Sequence, residues 1–73
     1  MPSHQAFEDW KAAHDAYIAA ERRLADAETV YAFSGGKEPH GLRAEVAKLR
    51  DESDRLLALA LQEMRARSEA PAG

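Results

Sequence analysis

Cysteine is absent from the 73 residues of this chain. That absence removes disulfide staples, thiolate zinc sites and cysteine nucleophiles together. Helix breakers are scarce and unevenly placed. Pro2, Pro71 and Gly73 lie near the termini, and every other proline and glycine falls in the stretch SGGKEPHG, residues 34–41. No apolar run approaches the roughly 18 residues needed to cross a bilayer, so no membrane span is expected. The opening MPSHQAFEDW has no basic segment leading into an apolar one, which argues against an export signal and predicts a cytoplasmic location. An excess of positive charge is also missing. Ten Lys and Arg stand against 13 Asp and Glu, for a net charge of −3. This disfavours a dedicated nucleic-acid binder, because phosphate recognition draws on a concentrated basic field.

What remains is 45% hydrophobic and 32% charged, a balance suited to amphipathic helices. One internal cluster of breakers with helical periodicity on both sides predicts an all-α antiparallel two-helix hairpin forming a single domain over residues 1–73. The first helix is expected over about 4–33, the loop over about 34–40, the second helix over about 41–67 and a frayed tail over 68–73. Ser3 suits an N-cap, and Gly35 or Gly36 can adopt the left-handed conformation that closes a helix. Pro39 is compatible either with the first turn of the second helix or with the loop before it. A core this small is marginal, so regular helix packing and oligomerisation are the remaining sources of stability.

The first helix alternates large and small residues along one stripe: Trp10, Ala13, Tyr17, Ala20, Leu24, Ala27 and Tyr31. The second carries a complementary stripe: Leu42, Val46, Leu49, Ser53, Leu56, Ala60 and Glu63. Both advance in steps of three and four, the spacing of a coiled-coil seam. Folded about the loop, the stripes meet in one register. Tyr31 faces Leu42, Ala20 faces Ser53, Ala13 faces Ala60 and Trp10 faces Glu63, and the two numbers of every such pair add to 73. Alanine at each seventh position lets the two backbones approach closely while the larger residues fill the spaces between. The pattern resembles the alanine-rich antiparallel packing called an alacoil, a likeness of packing that implies no activity.

A second apolar set lies roughly 100° around from the seam: Phe7 and Ile18 on the first helix, Leu57, Leu61 and Met64 on the second. Both halves belong to the open end of the hairpin, away from the loop. Large apolar side chains contribute roughly 1.5–3 kcal/mol each when fully buried. A matched stripe on both helices therefore predicts a homodimer closing into a four-helix bundle, or contact with another protein through the same face. Towards the loop that face turns small or polar at Ala25, Ala32, Arg50 and Asp54. Phe33 falls outside both stripes and is expected to cover the loop, with a contact for another protein as the alternative. Asp51 with Arg55, and Glu63 with Arg67, have the spacing of helix-surface ion pairs.

Catalytic chemistry finds no footing. No serine has a base and an orienting partner at readable spacing, and no histidine follows a glutamate by three, the pattern of di-iron bundles. SGGKE lacks both the leading glycine and the Ser/Thr after lysine of a phosphate loop. No catalytic residue, metal ligand or cofactor is expected. The sequence thus predicts a protein-interaction module such as an adaptor, chaperone-like partner or regulatory subunit. The alternative is a small dimeric RNA- or DNA-binding hairpin, using Arg22, Arg23, Arg43 and Arg50 near the loop, a role that helical-hairpin dimers can fill but that fold analogy alone supports weakly.

Overall fold

In the computed structural model, residues 5–69 are described, with side chains as far as Arg67. The chain forms two helices of equal length, α1 (Gln5–Ser34) and α2 (His40–Glu69), packed against each other as a hairpin. At 30 residues apiece each helix is about 45 Å long. The expected N-cap Ser3 lies outside the described residues. Helix α2 begins one residue before the expected Gly41 and continues through Ser68 and Glu69, two positions that were expected to fray.

The reversal between the helices is local chemistry. The Gly35 amide donates to the Tyr31 carbonyl at 2.9 Å, and Gly35 has φ 73°. This is the left-handed cap that ends a helix, and its backbone conformation favours glycine over residues with a side chain. Gly36 follows at φ 94°, so two successive left-handed residues turn the chain away from the α1 axis. Pro39 then sits just ahead of α2. Its carbonyl accepts from the Arg43 amide at 3.0 Å, the first α-type bond of the new helix, while the His40 amide donates to the Glu38 carbonyl at 2.8 Å. Pro39 thus serves as the boundary residue between loop and helix, and its missing N–H costs nothing at a helix start.

The interior is a narrow line. Ala20, Ser53 and Ala60 are the buried residues among those described. All three are small and all lie on the stripes read from the sequence. The larger seam residues Trp10, Tyr17, Leu24, Tyr31, Leu42, Val46, Leu49 and Leu56 are half-buried, as are Ala13 and Ala27. This distribution follows from the geometry of two helices. Side chains pointing straight at the partner backbone are enclosed only if they are small, whereas long ones emerge at the edges of the contact. Glu63, the misfit of the second stripe, is exposed and accepts from Arg67 Nη2 at 3.1 Å, so its carboxylate points away from the seam.

Candidate interaction surface

Among the described residues, two ion pairs cross the hairpin and fix which side of the seam each flanking residue occupies. Arg43 grips Glu28 with two bonds, Nε to Oε2 at 3.0 Å and Nη2 to Oε1 at 2.6 Å. Arg23 Nη2 reaches Glu45 Oε1 at 3.3 Å. Glu28 and Arg43 each follow a seam residue, Ala27 and Leu42. Arg23 and Glu45 each precede one, Leu24 and Val46. In an antiparallel pair, residues that follow the seam line one flank and residues that precede it line the other.

This rule places the five predicted interface residues. Phe7, Ile18, Leu57, Leu61 and Met64 each immediately follow a position of the repeating stripe, so they share one flank with Glu28 and Arg43. Phe7, Leu61 and Met64 are 47%, 49% and 55% exposed, whereas Ile18 and Leu57 are half-buried by the hairpin itself. The patch left to solvent is therefore smaller than five full side chains, and it is centred on the open end. Extending the Glu28–Arg43 pairing by whole heptads puts Glu21 level with Arg50, His14 with Leu57 and Phe7 with Met64. The flank thus carries two largely apolar rungs at the open end and two oppositely charged rungs near the loop.

At the open end the rings of α1 stack along the helix. Phe7 and Trp10 have centroids 5.6 Å apart, Trp10 and His14 lie nearly parallel at 5.2 Å, and His14 meets Tyr17 at 6.2 Å. The spacing of three and four residues that makes the seam also brings these rings together. The sequence reading did not anticipate the stack, although the positions 7, 10, 14 and 17 carry the signal. Tyr17 donates its hydroxyl to Glu21 at 2.9 Å, and this bond holds the phenol above its ordinary pKa.

Near the loop the organisation is ionic. Besides its grip on Glu28, Arg43 donates through Nη1 to Glu38 at 2.9 Å, and Tyr31 donates its hydroxyl to the other oxygen of Glu38 at 3.1 Å. His40 Nε2 lies 3.4 Å from Glu38 as well. The Arg43 bond holds the carboxyl groups of Glu28 and Glu38 below the usual carboxylate range, and Arg43 is pushed up in turn. This network escaped the sequence reading because Glu38 sits in the loop, outside the helical periodicity, and Arg43 was counted as a basic surface residue.

Two expectations are corrected. Phe33 does not cover the loop. It is 87% exposed and lies two positions past the seam residue Tyr31, on the outer face of α1. Arg55 pairs with Glu52 at 2.6 Å, three residues back, in place of Asp51. Asp51 instead lies 3.8 Å from Arg50.

Among the described residues no three His, Asp or Glu side chains converge into a metal-binding group, and no helix is long and apolar enough to cross a membrane. No family model matches the chain, and no curated protein or solved structure is significantly similar to it.

Proposed function

We propose that this chain is a small non-enzymatic interaction module that works as a homodimer, two hairpins closing into a four-helix bundle across the flank that holds Phe7, Ile18, Leu57, Leu61 and Met64. In that form it acts as a dimeric adaptor, chaperone-like partner or regulatory subunit. The observation that carries the reading is the exposure of Phe7, Leu61 and Met64 on a molecule whose own interior encloses only small side chains. Two helices have one mutual seam and cannot cover a second face. The chain exposes 5670 Å², where a globular monomer of its mass exposes roughly 4,500 Å².

The nucleic-acid reading loses support from the same geometry. Arg43 and Arg23 are engaged by Glu28, Glu38 and Glu45, and Arg50 lies beside Asp51, so the arginines near the loop are interleaved with carboxylates. Light scattering coupled to size-exclusion chromatography tests the proposal. The expected result is twice the chain mass of 8.1 kDa. A soluble species of single-chain mass at high micromolar concentration would overturn the homodimer.

A further inference from the structure

The loop end carries an ionisable cluster whose charges do not balance. Glu38, in the loop, accepts from Arg43 Nη1 at 2.9 Å and from the Tyr31 hydroxyl at 3.1 Å, while Glu28 on α1 accepts two further bonds from Arg43. Two carboxylates thus share one guanidinium, and one negative charge is left over. The remaining titratable group is His40, the first residue of α2, whose Nε2 stands 3.4 Å from Glu38 Oε2. Arg43 holds that same oxygen. A neutral imidazole adds no charge there, whereas a protonated one cancels the excess.

We propose that the loop end is a pH-sensitive clasp, in which a protonated His40 completes the Glu28–Glu38–Arg43 cluster and ties the start of α2 to the loop and, through Glu38 and Tyr31, to the end of α1. The inference concerns the single hairpin and is independent of the proposed dimer. Imidazole is the side chain that ordinarily changes charge between about pH 5 and 8, so the clasp closes on acidification through that range. The contribution of His40 is present on the acid side and is lost as pH rises. Arg43 holds Glu28 and Glu38 below the usual carboxylate range, so both stay ionised where an imidazole is charged. The clasp opens again only where these carboxylates take up protons.

The other charges around His40 decide the sign. On the loop, Lys37 is exposed and makes no ion pair among the described residues. On α1, Glu28 is the charged group of the cluster, and Tyr31 is bonded to Glu38. On α2, Arg43 is divided between the two carboxylates, and the positive end of the helix dipole disfavours a cation at its first residue. That opposition is outweighed because no acidic residue occupies the first turn of α2, and the imidazole reaches back to Glu38, where negative charge is in excess.

Thermal melts of the full chain test the clasp, with His40→Gln as the probe. The parent is expected to melt about 1–4 °C above His40→Gln at about pH 5.5, the scale of one exposed ion pair. The gap is expected to vanish at about pH 8, where imidazoles are neutral. Taking the difference between the two proteins cancels His4 and His14, which both retain. With Glu38→Gln introduced into both, the gap at the lower pH is expected to collapse. A gap equal at the two pH values, or larger at the higher one, overturns the clasp. A pH-dependent gap that survives Glu38→Gln at full size overturns it as well.

Discussion

The two halves of the hairpin solve the same problem by different means. Near the loop, the helices are tied by directional bonds. A left-handed glycine closes α1, Arg43 bridges Glu28 and Glu38, Tyr31 secures Glu38, and Arg23 reaches Glu45 on the other flank. At the open end, stacked rings and aliphatic side chains take over, and several of them are left half in water. The difference teaches that the loop half is finished as a single hairpin, because polar groups are satisfied pairwise within the chain. The open half leaves Phe7, Leu61 and Met64 partly in water, because apolar area is covered only by more apolar area and two helices offer no more of it there.

The largest expected break in this comparison comes from charging the open half. Leu57→Glu together with Leu61→Glu places like charges on the proposed interface, and sedimentation equilibrium is expected to show single chains or an unfolded protein. Retention of a dimer of unchanged stability would sever the open end from assembly. A smaller effect, still well above measurement error, is expected at the waist between the halves. Ala20 is fully buried, so Ala20→Leu forces the helices apart and should cost about 1–3 kcal/mol. For a domain of this size each kcal/mol lost lowers the melting temperature by about 4–8 °C, which calorimetry resolves easily. An unchanged melting temperature would mean the helices do not approach closely there.

The smallest effect belongs to the loop half and depends on pH. Glu28 and Glu38 are held below their ordinary pKa when folded, with the bond to Arg43 the first cause for each. Such groups add stability above the unfolded-state value, and this contribution is lost as pH falls through the folded one. These side chains are open to solvent, so the contribution is modest. Arg43→Gln should therefore lower the melting temperature slightly at about pH 6, and its gap from the parent protein should narrow towards about pH 3. A gap that stays constant with pH would show that Arg43 acts through packing alone.

Much of the fold was legible because it is periodic. The stripes through Ala13, Ala20 and Ala60 announced both the helices and their mutual register, since a repeat of three and four has one geometric meaning over about six turns. The open-end patch was legible for the same reason. What escaped notice lay outside the repeat or depended on choices among equals. Glu38 belongs to a loop, where no period reveals which side chains it meets. Arg55 had two carboxylates within reach, and sequence spacing does not decide between them. Phe33 was assigned to the loop by proximity along the chain, yet its angular position on α1 aims it outward.

The Gly35–Gly36 reversal carries a practical consequence. A side-chain carbon added at either glycine would meet nothing within 4 Å, so the tip stands clear of the body of the rod. Gly35 has to keep its conformation to seal α1, but peptide spliced in after Gly36 would be carried outward on a stiff handle. The bend is thus a natural mounting point for a displayed epitope or a fused domain, at a place where added length does not have to be repaid by repacking the seam.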